Sequence, residues 1–189
     1  MRVHYLVMAF YVLVLVALLS LIFFLMLYEW SLVVTRAPFI PIPQAVLPYV
    51  VDALELKPGS VVYDLGCGEG RVLLACWKRF PHARYVGLDK AVLAIWLARW
   101  RKRQTARDAD SVFKRMNFFR QDLSDATHVF TYLFPGLMQR LLPKLKRELK
   151  PGARLVSCDF QFNDMKPVKT IQLDRPIGAL GRTLYVYEF

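Results

Sequence analysis

Residues 60–70 read SVVYDLGCGEG, a hydrophobic run that opens into three glycines at alternate positions, Gly66, Gly68 and Gly70. Val61, Val62 and Tyr63 are β-branched or aromatic, as buried strands favour, and RVLLACWKRF from Arg71 has apolar residues at helical spacing. The stretch predicts a strand, a tight turn and a helix. Glycines allow the backbone to turn sharply and leave space for a ligand to approach main-chain N–H groups. In open α/β sheets, ligands bind at the carboxyl end of a strand, where this turn falls.

Reading outward, YVGLD (Tyr85 to Asp89) makes a second short strand, AVLAIWLARWRKRQ a second helix, and SVFKRM and THVFTYLF a third and fourth strand. LMQRLLPKLKRELKPG predicts another helix, interrupted by Pro143 and stopped by Pro151-Gly152, before the strand ARLVSCDFQF. VKTIQLD and RTLYVYEF close the chain as two β segments that short loops could pair antiparallel. Alternating strands and helices imply an α/β, Rossmann-like, doubly wound and mostly parallel seven-stranded sheet with an antiparallel C-terminal hairpin.

Asp64 stands two residues before the first glycine, and Asp89 ends the second strand nineteen residues beyond Gly70. A carboxylate at the first position can neutralise a cationic amine, and one at the second can accept from both ribose hydroxyls. Dinucleotide sites use Gly-x-Gly-x-x-Gly, and a pyrophosphate gains nothing from an adjacent carboxylate. No Gly-Lys-Ser/Thr follows, which disfavours a Walker-type phosphate loop. The pattern brackets a nucleoside that carries an amine. The alternative is a structural turn flanked by solvated acids.

Tyr5 to Tyr28 (YLVMAFYVLVLVALLSLIFFLMLY) carries no charge, and Ser20 is its only strongly polar interruption. Some twenty such residues cross a hydrocarbon core of roughly 30 Å, and Tyr5, Tyr28 and Trp30 sit where amphipathic rings prefer the headgroup region. The run is longer than a signal-peptide core and lacks a small-x-small cleavage site, so an uncleaved anchor is expected. TRAPFIPIPQAVLP (Thr35 to Pro48) reads as an extended, proline-stiffened connector, and residues 46–56 (VLPYVVDALEL) as a helix stopped by Lys57-Pro58-Gly59. Three parts are expected: a transmembrane anchor over residues 1–30, a proline-rich linker and pre-domain motif over 31–48, and one α/β domain over 49–189.

Of the 189 residues, 56% are hydrophobic and 22% charged, which excludes a disordered or fibrous chain. The formal net charge of +11 favours anionic lipid, nucleic acid or acidic protein as partners. Cys67, Cys76 and Cys158 lie far apart without a C-x-x-C pair, so neither a zinc site nor a disulfide framework is expected. His4, His82 and His128 are scattered and read as surface or packed residues.

PFIPIP (Pro38 to Pro43), VVYDLGCGEGRV (Val61 to Val72), NFF with DLSDAT between Asn117 and Thr127, PKLKRELKPGARLVS (Pro143 to Ser157) and the terminal YVYEF carry a family likeness. Over about residues 38–189 the chain resembles the class I, seven-β-strand, S-adenosylmethionine-dependent methyltransferases. Within them it is similar to the protein-lysine methyltransferases typified by a broad-specificity archaeal enzyme and membrane-anchored animal mitochondrial enzymes. The resemblance implies S-adenosyl-L-methionine as cofactor, with Asp64, Gly66, Cys67, Gly68 and Gly70 at its methionine end. It implies Asp89, with Lys90 beside it, at the ribose, and Asn117 with Phe118 at the adenine, Asp122 being a second choice there. Phe39 and Ile42 stand where Tyr and Thr are expected, and Met165 where relatives carry Trp, differences that bear on substrate choice.

An amine acceptor must lose its proton before it attacks a sulfonium methyl, and burial among aromatic rings favours the neutral amine. Tyr132 and Phe134, at the end of the fourth strand, are the expected catalytic pair, with packing of the sheet edge as their alternative role. No Asn/Asp-Pro-Pro-aromatic motif follows that strand, which by the same resemblance argues against base amino groups or glutamine as acceptors. Arg99, Arg101, Lys102, Arg103 and Arg107 read as a solvated helix end, or as a contact for anionic lipid headgroups. No recognised RNA-binding module accompanies them, so nucleic acid is not an expected partner. The expected partners are a membrane and a protein substrate, with the domain on the cytoplasmic side. Methylation of a lipid, quinone or other small molecule, and a non-enzymatic protein with a degenerate cofactor site, remain the alternatives.

Overall fold

The computed structural model describes residues 2–35, 40–176 and 178–189, and divides into two units, Met1–Pro38 and Phe39–Phe189. The first unit is one helix, α1 (Arg2–Thr35), whose segment His4–Tyr28 is long and apolar enough to cross a membrane. The helix runs past residue 30 into the stretch read as linker, because no helix breaker precedes Pro38. Residues 36–39, including Phe39 of the pre-domain motif, lie outside the described residues.

In the second unit, the connector is extended only to Pro43 (φ −61°, ψ 141°), then forms a 3₁₀ turn at Gln44–Val46 and α2 (Leu47–Leu54). Pro48 does not stop this helix, since it occupies the first turn, where an N–H would have no intrahelical partner. The remaining elements are β1 (Val61–Leu65), α3 (Arg71–Arg79), β2 (Arg84–Asp89), α4 (Val92–Thr105), β3 (Ser111–Arg115), β4 (His128–Thr131), α5 (Pro135–Glu148), β5 (Arg154–Cys158), β6 (Lys169–Gln172) and β7 (Thr183–Glu188).

The seven strands form one sheet in the order β3-β2-β1-β4-β5-β7-β6, with β7 antiparallel to both its neighbours and the other pairings parallel. Alternation along each strand divides the core. Val62, Tyr85, Phe130, Val156 and Val186 pack with α2, α3 and α4 on one face, while Tyr63, Leu65, Val129, Leu155 and Tyr187 pack with α5 on the other. The chain winds outward from β1 through β2 to β3 and then crosses back to place β4 on the other side of β1, which opens a crevice at the carboxyl ends of β1 and β4.

Pro143 lies inside a continuous α5 and does not interrupt it. Met138, Leu141, Leu142 and Leu145 are buried against the sheet, and this packing holds the helix despite one missing N–H. β4 ends at Thr131, so Tyr132 and Phe134 lie in the loop beyond it, with Phe134 as the N-cap of α5.

Candidate functional site

The glycine turn after β1 takes the conformation its sequence requires, with positive φ at Gly66 (86°), Gly68 (53°) and Gly70 (77°). Gly70 also admits no side chain, because a Cβ would come within 2.6 Å of the Phe113 ring. Four N–H groups of this turn are engaged inside the protein. Gly66 and Cys67 donate to the Leu88 carbonyl at 2.8 and 3.0 Å, Gly70 to the Cys67 carbonyl at 2.9 Å, and Gly68 to Asp89 Oδ2 at 2.9 Å. A turn that binds phosphate needs those donors free. With these four donors spent, the acceptors beside the turn, Asp64 and Asp89, carry more of the site's character.

Asp64 is the chief of them. It is 2% exposed, and among the described residues nothing donates a hydrogen bond to its carboxylate or pairs with it as a cation. Burial, and then the charge of Asp89, hold its carboxyl well above the ordinary carboxylate range. Asp89 is fixed from two sides, Oδ2 by Gly68 and Oδ1 by the Ala91 N–H at 2.8 Å, and each oxygen keeps acceptor capacity for a hydroxyl. Two repelling acids, one of them buried and uncompensated, suit a ligand that brings its own positive charge.

The other expected cofactor positions are distributed around these. The Cys67 thiol is buried against Gly87, which leaves that residue only its backbone for a ligand, and Lys90 is exposed after the end of β2. Asn117 uses its Oδ1 to accept from the Phe119 N–H at 3.2 Å, capping the 3₁₀ turn Phe118–Arg120, so the side-chain oxygen expected to face a base is shared with a cap. Phe118 is buried with its ring centroid 4.7 Å from that of Phe119. Asp122 is exposed and accepts from the Ser124 N–H and hydroxyl at 3.0 and 2.8 Å, which occupies it locally.

Tyr132 and Phe134 come together with Phe160, beyond β5, at centroid distances of 6.1 and 5.8 Å from it. The sequence reading missed the residue that organises this wall. Asp159 (φ 58°) accepts from the N–H groups of Gly181, Arg182 and Thr183 at 2.6, 2.7 and 3.2 Å, and from the Tyr132 hydroxyl at 3.3 Å. It thereby draws the segment before β7 over the ends of β4 and β5. Its place immediately after a strand tip was the available signal. Gly181 in turn lies against Val46 and Pro43, where a Cβ would come within 2.6 Å of Val46.

Glu69 was missed as well. It is buried, pairs with Arg71 and with Arg101 (2.7 Å), and Arg71 also donates to the Ile42 carbonyl at 2.7 Å, fastening the pre-domain segment to the glycine turn. Met165 is half-buried against the α5 side of the core.

A family model described as the ANTKMT methyltransferase domain matches residues 64–169. A protein-lysine N-methyltransferase of Saccharolobus islandicus (strain REY15A) is 33% identical over 157 residues, covering 82% of this chain and 94% of the relative. The chain belongs to the ANTKMT methyltransferase family. The adenine nucleotide translocase lysine N-methyltransferase of Mus musculus is 31% identical over 142 residues, 72% of this chain but 58% of that protein. Among solved structures, an RNA methyltransferase from Salinibacter ruber in complex with S-adenosyl-L-homocysteine superposes with a TM-score of 0.72 at 30% identity, covering 79% of this chain and 93% of that one. The chain is therefore an S-adenosylmethionine-dependent class I methyltransferase. An uncompensated buried Asp64 facing Asp89 fits a cofactor that carries a sulfonium, an ammonium and a ribose.

His128 stays out of this site. His128 opens β4 at the opposite end of the strand, its Nδ1 2.8 Å from Thr127 Oγ1. Burial, with the positive charges of Arg154 and Lys57, pushes it down to about 4.

Proposed function

We propose that this enzyme methylates lysine side chains of a protein at a membrane, with α1 as a single-pass anchor and the catalytic domain on the cytoplasmic side. The observation that supports it is the buried Asp64, without a donor among the described residues, beside the glycine turn and Asp89. In this reading Asp64 receives the cofactor's ammonium, the turn at Gly66, Cys67, Gly68 and Gly70 makes room for its methionine part, and Asp89 accepts from the ribose hydroxyls, with Lys90 at the rim. Asn117 and Phe118 border the adenine. When bound, S-adenosyl-L-methionine supplies a methyl group on a positively charged sulfur.

Tyr132 and Phe134 then receive the acceptor amine. Their rings, with Phe160, attract the charged lysine through their π faces and disfavour its proton once water is displaced. The carboxylate in the wall, Asp159, is engaged by three backbone N–H groups and the Tyr132 hydroxyl, so in this reading the proton leaves to solvent before transfer, and the chain's contribution is alignment of amine and methyl group. The anchor, the lysine-modifying relatives from an archaeon and from mouse, and the aromatic wall all support a protein lysine over a small molecule.

The test is incubation of the full chain in detergent with methyl-labelled S-adenosyl-L-methionine and membranes. Label is expected on lysines of membrane-associated protein, located by mass spectrometry and reduced by Tyr132→Ala. Label recovered solely in the organic extract would assign a lipid or quinone acceptor instead.

A further inference from the structure

The helix α4 is built inside out for a surface helix. Its core-facing residues are small or single aliphatics, Ala94, Ile95 and Ala98, while Val92 (61% exposed), Leu93 (67%), Trp96 (60%) and Trp100 (50%) face solvent. Positions 92, 96 and 100 are successive i, i+4 neighbours, so these side chains form one continuous stripe about 100° wide. The helix contains no acid.

The cations around it divide into two sets. Arg99 is tied to the Phe113 carbonyl (3.0 and 2.8 Å), Lys102 to the Ser111 carbonyl and Arg101 to Glu69, so much of the tract read as a solvated helix end holds the domain together. Arg103 lies on the outer face one turn beyond Arg99, Arg107 follows the helix, and Lys90 and Arg115 are exposed beside its start. Asp108 and Asp110 are the exposed acids nearby, after the helix has ended.

We propose that this face of α4 lies in the headgroup layer of an anionic bilayer, a second attachment beside α1. Indoles and aliphatics interleaved with arginines are what an interfacial helix presents: apolar bodies at the acyl boundary, indole N–H groups and guanidinium at the headgroups. A second copy of the chain fits less well, because a two-fold contact would bring together two faces that both carry arginine and have no acid on α4 to pair with it. α4 begins three residues after Asp89, so the attachment would hold the ribose end of the proposed cofactor site beside the bilayer and present acceptors from membrane proteins. The inference rests on the reading of α1 as an anchor only for its proximity to lipid.

The test uses the full chain with Leu93→Cys, labelled with an environment-sensitive fluorophore and placed in lipid nanodiscs; the native thiols, Cys67, Cys76 and Cys158, are buried. Lys146→Cys, exposed on α5, is the control. In discs rich in phosphatidylglycerol the Leu93 label is expected to shift to the blue and brighten roughly threefold or more, an effect that fades in phosphatidylcholine or high salt and disappears with Trp96→Ser/Trp100→Ser. The Lys146 label should not respond. A Leu93 label that still reports water in anionic discs overturns the proposal, as does shielding that requires two chains per disc. If salt releases the chain from the discs yet the label shifts beforehand, the α4 surface stands and the anchor reading fails.

Discussion

Replacing Asp64 by Asn should make the cofactor-free protein more stable and the cofactor-bound one harder to form. The carboxylate is fully buried, has no described donor, and sits beside Asp89, so its ionised form is held at a desolvation cost with nothing to offset it. Because the folded protein binds the Asp64 proton more tightly than the unfolded chain, wild-type stability falls as pH rises above the ordinary carboxylate value of roughly 3.9. Asn carries no such proton. Its advantage should therefore be larger at pH 8 than at pH 5, by about 1–3 kcal/mol, a melting shift of roughly 3–10 °C for a protein of this size. Loss of a charge-assisted contact worth about 1.5–3 kcal/mol should weaken S-adenosyl-L-methionine roughly 10- to 150-fold. Thermal melting in detergent at three pH values, and calorimetry in buffers of different ionisation enthalpy, read both effects. Wild type should release a proton on binding and the variant should not. A variant that is less stable at every pH yet binds the cofactor normally would make Asp64 a structural acid and refute the reasoning.

Asp159→Ala removes the acceptor of three backbone N–H groups and the Tyr132 hydroxyl, and should lower the melting temperature by roughly 6–12 °C, for about 3 kcal/mol, while raising KM for the acceptor. An unchanged melting curve would show that the segment before β7 is held by other contacts. His128 has a folded value near 4 against 6.5 unfolded, so between those limits the unfolded chain binds more protons and stability falls as pH falls. With a discount for its partial exposure, denaturant titrations at pH 7 and pH 4.5 should differ by about 1–2 kcal/mol more in wild type than in His128→Gln.

The glycine turn, its two acids and the strand–helix alternation were legible because each is a local pattern. Positive φ at Gly66, Gly68 and Gly70, and an acid at a strand tip, are decided within a few residues. The apolar run of α1 was equally plain, since length and composition alone make a helix that can span a bilayer. Its end at Thr35 was not, because a proline-rich stretch marks a helix boundary only to within a few residues. Pro143 was misjudged for a related reason: whether proline breaks a helix depends on the burial of its neighbours as well as on its own ring.

What the chain could not reveal on its own lies in contacts made across distance. Asp159 finds Gly181, Glu69 finds Arg101, and Arg71 finds the Ile42 carbonyl only after the sheet has assembled. The tertiary structure also decided the sign of the site. Once Leu88, Cys67 and Asp89 have taken up the N–H groups of Gly66, Cys67, Gly68 and Gly70, the buried Asp64 carboxylate beside them favours a cation over a phosphate.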